Sequence, residues 1–189
     1  MIVIKFGLIL IFIAFGLTVG FGQKPVQSAP EWKEFASEEF KFKATFPGVP
    51  KASVSELDAK PDKRYAHWFI VTLPGSFYGV SVTDYPNLPL LLKEDELKTN
   101  YATLVQGTMK LTGFKLLGEK DLRLGGQFGR EAVLTNEKEI IINRMFLVRQ
   151  RLYQVITTMP EAASKDEKAR RAADRFLDSF QFAAIKSEN

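Results

Sequence analysis

The chain has 189 residues and a formal net charge of +4, from 26 lysine and arginine residues against 22 acidic ones. It contains one histidine and no cysteine, which excludes disulfides, thiolate metal sites and cysteine nucleophiles. The positive excess is too small to favour nucleic acid or another anionic polymer as a partner.

The first segment, residues 1–22, is predicted to be a signal peptide. Lys5 precedes an uncharged apolar run, and Gly20 and Gly22 fit the small-residue positions of a cleavage site. The run is close to the lower length limit for a bilayer span, so an uncleaved N-terminal membrane anchor is the alternative. Without Lys5, 25 basic residues face 22 acidic ones, a net charge of +3. We therefore expect an exported protein, periplasmic or extracellular, and the lack of cysteine excludes a lipoprotein anchor.

Residues 23–31, "QKPVQSAPE", form a predicted linker because prolines and small polar residues disfavour regular structure. A single domain is expected over residues 32–185, with a short tail at 186–189. This length is sufficient to bury a core without disulfides.

The first β signals are one alternating strand and one hairpin. In "FKFKATF", residues 40–46, aromatic and small residues alternate with polar ones, which predicts a half-buried strand ended by Pro47. Residues 51–63 are polar and indicate a loop or a frayed strand. Pro74–Gly75 separates two β-rich runs and predicts a hairpin. The first of these runs, 65–73, is apolar on both parities, which is typical of a strand covered on both faces.

The pattern changes to helical spacing between Lys93 and Thr112. The residues predicted to share its apolar face are Leu97, Tyr101, Leu104, Val105, Thr108 and Leu111. Gly113 is a suitable C-terminal stop, and the acidic residues of "KEDE", 93–96, complement the helix dipole at the other end.

An antiparallel meander is expected from residue 114 to Pro160, with turns at Gly125–Gly126, Glu137–Lys138 and Gln150. A second helix follows. Ser164 and Glu167 have capping-box spacing at its predicted start. Its apolar stripe comprises Ala169, Ala172, Ala173, Phe176, Leu177 and Phe180.

These elements predict an α+β fold. A central antiparallel sheet of about six to eight strands would pack with two main amphipathic helices, either one on each face or both on one face. The second helix also has i,i+4 and i,i+3 charge pairs, Glu167–Arg171, Arg171–Asp174 and Arg175–Asp178, which indicate a self-neutralised solvated face.

The order of landmarks resembles the PsbP-like family, the α/β/α sandwich of the photosystem II extrinsic protein PsbP and its Mog-type relatives. The motifs are "EFKFKATFPGVPK", "GREAV", "RMFLVRQRLYQV" and "ADRFLDSFQF", spread over about residues 32 to 183. The resemblance implies this fold and an adaptor or assembly role in place of catalysis. No residue-level ion site is transferred with it.

The chemistry-bearing residues are few. His67 lies between apolar neighbours and is expected to be a core or rim residue, and no nucleophile elbow or EF-hand spacing is present. The glycines at 125, 126 and 129 precede a strand, so they predict a hairpin turn and not a phosphate cradle. We therefore expect no enzymatic activity, no metal and no cofactor.

The best candidate binding surface lies around the last predicted hairpin. Arg149 and Arg151 bracket its turn, and Tyr153 would supply an aromatic wall with a hydroxyl. Arg144 interrupts an apolar parity, so it either pairs with Glu131 on the neighbouring strand or lines a polar pocket. The resulting hypothesis is a non-enzymatic domain that binds a protein partner at the cell envelope. The alternative is a small-ligand or lipid-binding protein with a cleft between sheet and helix. The oligomeric state stays open, and membrane contact is expected only through an uncleaved N-terminal segment.

Overall fold

A computed structural model describes residues 30–57 and 63–183, so the predicted signal segment, most of the linker and the tail lie outside the described residues. The strands are β1 (Lys33–Ser37), β2 (Phe42–Phe46), β3 (Lys51–Glu56), β4 (Tyr65–Leu73), β5 (Ser76–Asp84), β6 (Lys115–Leu124), β7 (Gln127–Thr135), β8 (Glu139–Val148), β9 (Arg151–Pro160) and β10 (Gln181–Phe182). The helices are α1 (Glu94–Thr112), α2 (Glu167–Ser179) and a short 3₁₀ turn at Glu161–Lys165.

Seven strands form an antiparallel sheet in the order β3-β4-β5-β9-β8-β7-β6, and three more form a small sheet in the order β1-β2-β10. The α+β fold with an antiparallel sheet and two helices is therefore confirmed. The meander from β6 to β9 and the hairpin at Pro74–Gly75 are found as predicted. The polar stretch predicted as a loop or a frayed strand contributes an edge strand, β3, which pairs with β4 from Lys51↔Ile70 to Glu56↔Tyr65.

Each face of the large sheet has its own hydrophobic core. α1 covers one face, where Trp68, Leu104 and Met145 are buried together. α2 and the small sheet cover the other face, where Phe42, Phe69 and Phe176 are buried. Neighbouring residues of β4, Trp68 and Phe69, belong to opposite cores, which is why its sequence is apolar on both parities.

Helix α1 begins and ends where the sequence predicts. The Lys93 N–H donates to the Glu96 carboxylate at 2.8 Å, and Gly113 ends the helix with φ of 73°. A helix end with positive φ favours glycine, because the Cβ of any other residue would come too close to the backbone. The prediction was wrong for one residue of the apolar face: Leu111, in the last turn, is 57 % exposed.

The start of α2 differs from the predicted capping box. Asp166 is the N-cap residue, and its carboxylate accepts from the N–H groups of Lys168 and Ala169 at 2.7 and 3.2 Å. Ser164 belongs to the 3₁₀ turn that follows Pro160, and its hydroxyl donates to the Glu161 carbonyl. The prediction was wrong because the helix begins two residues later, where Asp166 caps the free N–H groups of its first turn.

The charged face of α2 is only partly self-neutralised. Glu167 and Arg171 pair as predicted. Arg175 instead lies over the Trp32 ring, with its guanidinium carbon 4.5 Å from the ring centroid, and Asp178 accepts from Arg144 on the large sheet at 2.7 Å. These two contacts attach α2 to the strands beside it.

The glycines of the β6–β7 region have structural roles. Gly125 and Gly126 both have positive φ, 54° and 79°, as a two-residue hairpin turn of this type requires. At Gly129 a Cβ would lie 2.3 Å from the Phe146 ring, so only glycine leaves space for that ring. Edge strand β6 has a register irregularity between Leu116 and Gly118 and many charged residues, two features that discourage pairing with another chain.

Candidate functional site

The β8–β9 hairpin places three predicted site residues, Arg144, Arg151 and Tyr153, on one face of the large sheet, the face that α2 covers. Phe146 pairs with Tyr153 and Val148 with Arg151, so these side chains project to the same side. Arg149 occupies the turn with φ of 56° and is exposed. The hairpin therefore brings Arg149, Arg151 and Tyr153 to one end of the sheet, but each of them has different contacts.

Arg144 is part of an ion-pair network. Its Nε donates to Glu131 on β7 at 2.7 Å, and its Nη1 donates to Asp178 on α2 at 2.7 Å. Lys120 on β6 also pairs with Glu131, at 2.9 Å. The side chains of Arg144 and Glu131 are only 17 % and 10 % exposed. Of the two alternatives for Arg144, the structure has the pairing with Glu131, and the network joins β6, β7, β8 and α2.

The environment of Glu131 keeps it ionised. Burial opposes its charged form, but hydrogen bonds from Arg144 and Lys120 outweigh that effect and hold the pKa of Glu131 below its usual value. The same partners raise the pKa of Arg144 against the opposing effect of burial. At pH values above the pKa of an unfolded glutamate, the charged Glu131 stabilises the folded state. This stabilisation is lost as the pH falls through the lower pKa of Glu131 in the folded state.

This network predicts an acid-sensitive contribution to stability. We expect the Glu131→Gln variant to be less stable than the parent near about pH 7, and the gap to narrow as the pH falls below about 4.3, the pKa of an unfolded glutamate, through the lower folded value. Urea denaturation at several pH values measures the gap. The control is Glu137→Gln, which removes an exposed pair with Lys115 that solvent screens. A gap for Glu131→Gln that stayed constant over this pH range would contradict the assignment.

Arg151 and Tyr153 hold the end of the hairpin against the segment that precedes β2. Arg151 pairs with Asp84 through two nitrogens, at 2.6 and 2.9 Å, and this pairing raises its pKa. The Tyr153 hydroxyl donates to the Phe40 carbonyl at 2.9 Å, and burial raises the pKa of this tyrosine. Arg151 also lies over the Phe40 ring at 5.4 Å. Both residues therefore have firm intramolecular partners.

An open cleft of about 530 Å³ lies beside Tyr153, between the tip of the β6–β7 hairpin and the small sheet. Its lining comprises Lys41, Leu124, Gly125, Gln127, Val148, Tyr153, Gln181, Phe182 and Ala183. Of the predicted site residues, Tyr153 lines the cleft and Arg149 follows the lining residue Val148. Arg144 and Glu131 are not among the lining residues.

Sequence reasoning missed Lys41 and the C-terminal strand as parts of this cleft. The alternating pattern placed Lys41 inside a strand that starts at Phe40, but β2 starts at Phe42 and Lys41 takes a turn conformation with φ of 53°. The two-residue strand β10 pairs Phe182 with Phe42, a contact across most of the chain. No local pattern in the sequence indicates such a contact.

The remaining chemistry-bearing positions do not converge on a second site. His67 is half-buried and its ring lies 4.6 Å from that of Phe40, as expected for a core or rim residue. Within residues 30–57 and 63–183 no group of three His, Cys, Asp or Glu residues is placed to hold a metal ion. In the same ranges no helix has the length and hydropathy needed to cross a membrane.

The architecture defines the chain as a protein with the PsbP-like fold, an antiparallel sheet between helices. One solved structure that matches it is the solution structure of cyanobacterial PsbP (CyanoP) from Synechocystis sp. PCC 6803, with a TM-score of 0.53 and 12% sequence identity over 86% of this chain and 98% of that one. No protein-family model matches the chain, and no curated protein matches its sequence. At this identity the comparison establishes the fold.

Proposed function

We propose that this protein is exported and non-enzymatic, and that it binds a protein partner at the cell envelope. The apolar run with its small-residue site supports cleavage after Gly22. The PsbP-like fold supports a binding role, because the resemblance to that family implies adaptor and assembly functions. An N-terminal anchor remains the alternative, and intact-mass measurement of protein from the native host distinguishes a start at Gln23 from an uncleaved chain.

One surface feature favours partner binding. Leu111, Leu116 and Leu117 are 57 %, 37 % and 58 % exposed and lie within seven residues of sequence, at the end of α1 and the start of β6. We call these three residues the leucine patch. Exposed leucines this close in sequence are candidates for a protein interaction site, because their burial in an interface removes apolar surface from water.

The leucine patch gives a direct test of the proposal. We expect the tagged protein, purified from its native host's envelope, to retain a stoichiometric, salt-resistant protein partner. Changing all three patch leucines to serine should release that partner with only a small loss of thermal stability, because Leu111 and Leu117 are more than half exposed and Leu116 is 37 % exposed. Affinity purification followed by mass spectrometry measures retention.

The matched control changes Leu90 and Leu91 to serine. These leucines are also exposed, at 60 % and 88 %, but lie in the loop before α1, at the opposite end of that helix. The control should keep the partner. Retention by the patch variant, or absence of any stoichiometric partner from the parent, would contradict the proposal.

A second candidate function, small-ligand or lipid binding, is favoured by the cleft beside Tyr153. Its volume of about 530 Å³ falls within the ~300–1,000 Å³ of ligand pockets. Native mass spectrometry of the purified protein tests it, since a retained ligand would appear as added mass.

A further inference from the structure

The floor of the cleft is apolar and rigid. The rings of Tyr153 and Phe182 meet edge to face, with centroids 5.3 Å apart, and Phe182 packs in the same way on Phe146 and Phe180. Leu124 and Val148 are partly buried against the same core. A ligand that enters the cleft therefore meets an aromatic and aliphatic surface held in place by the second hydrophobic core.

The polar groups of the cleft favour an anion. Its lining residues include one cation, Lys41, and two amide residues, Gln127 and Gln181, and they include no aspartate or glutamate. Arg149 is not a lining residue; it follows the lining residue Val148 in sequence and occupies the turn between β8 and β9. Among the residues that the structure describes, neither Lys41 nor Arg149 has a carboxylate partner. By contrast, Arg144 and Arg151 on the β8–β9 hairpin both pair with carboxylates.

The backbone at these two cations is strained. Lys41 and Arg149 have φ of 53° and 56°, and they are two of the three non-glycine residues with positive φ in the described ranges. Glycine adopts this conformation without strain, whereas a basic residue occupies it at both of these positions. Strained residues of this kind are concentrated at ligand sites. The Ala183 N–H donates to the Lys41 carbonyl at 2.9 Å, which fixes the turn against the C-terminal strand.

We propose that this cleft binds a single-chain amphipathic anion, such as a fatty-acid carboxylate. The apolar chain lies on Tyr153 and Phe182, and the anionic head lies beside Lys41 and Arg149. The apolar floor and the cationic rim are both needed, so neither an uncharged chain nor a small inorganic anion satisfies the whole site. This inference rests on the second candidate function, and its failure leaves the partner-binding proposal intact because the leucine patch lies elsewhere.

The test uses dodecanoate as the probe, below its micelle concentration, with the purified protein. When dodecanoate is added and the titration is followed by nuclear magnetic resonance, the amide signals of Lys41, Gln181 and Phe182 should shift at lower dodecanoate concentrations than the other amide signals. Dodecanol and dodecyltrimethylammonium should bind at least about tenfold more weakly, which corresponds to about 1.4 kcal/mol. Inorganic phosphate should cause no saturable shift. Equal binding of dodecanol and dodecanoate, or no binding of dodecanoate, would overturn the proposal.

The variant that isolates the head-group contact is Lys41→Gly combined with Arg149→Gly. Glycine suits the backbone at both positions, so the fold and its melting temperature should be retained while dodecanoate binding weakens by about tenfold or more. Glu137→Gly is the matched control, because Glu137 is the third non-glycine residue with positive φ and lies at the other end of the sheet. Undiminished affinity in the double variant, or an equal loss in the control, would overturn the assignment.

Discussion

Replacing Phe176 with alanine is expected to destabilise the protein by about 3–5 kcal/mol, the usual cost of removing a buried phenylalanine. Phe176 is fully buried, and its ring lies 5.0 Å from that of Phe46 and 5.5 Å from that of Tyr78. It thus joins α2 to the small sheet and to the large sheet at once. Since single domains have only about 5–15 kcal/mol of stability, such a loss would leave the variant marginal or unfolded.

Urea denaturation followed by circular dichroism measures this loss. The control on the same helix is Asp174→Ala, an exposed position where we expect a change within about 0.5 kcal/mol. Phe176→Leu keeps most of the volume and should lie between the two. A loss below about 1 kcal/mol for Phe176→Ala would mean that α2 does not depend on this contact, and that the second core is organised differently.

The sequence predicted the two-sided sheet because its signal is local. Trp68 and Phe69 are neighbours in β4 and point into different cores, so an apolar run on both parities reports a covered strand directly. The span of α1 was also predictable, since acidic residues begin it and Gly113 ends it. In these elements propensity, pattern and capping all agree.

The candidate site was less predictable because its parts are distant in sequence. Tyr153, Lys41 and Phe182 come from three separate segments that pair only in the folded chain. The ionic partner of Arg144 on β7 was predictable from strand order, but its second partner, Asp178, depends on where α2 packs. Side-chain patterns report which face is buried, and they do not report which distant segment covers it.

A feature of α1 that no pattern reveals is the bridge made by the Tyr101 hydroxyl. It donates to the Phe128 carbonyl at 3.1 Å and accepts from the Leu147 N–H at 2.7 Å. The β7–β8 ladder ends at Gly129↔Phe146, so Phe128 and Leu147 are the next two residues and lack each other as partners. The hydroxyl completes the ladder from the helix side, where water is excluded.

Tyr101→Phe is therefore expected to cost about 2–3 kcal/mol, because it leaves a buried N–H and a buried C=O without partners while removing only one oxygen. Hydrogen exchange gives the sharper measurement, since the Leu147 amide should lose protection selectively. Tyr65→Phe is the control, because that tyrosine is 44% exposed and its loss should change stability by no more than about 0.5 kcal/mol.

The same bridge predicts an alkaline response. Burial raises the pKa of Tyr101 to about 12, so folding favours its protonated form. The stabilisation is fully present below the pKa of an unfolded tyrosine, about 10, and is lost as the pH rises through the folded value. The stability gap between the parent and Tyr101→Phe should shrink over that interval. A gap that was small at neutral pH, with Leu147 still protected in the variant, would mean that another donor and acceptor replace the hydroxyl.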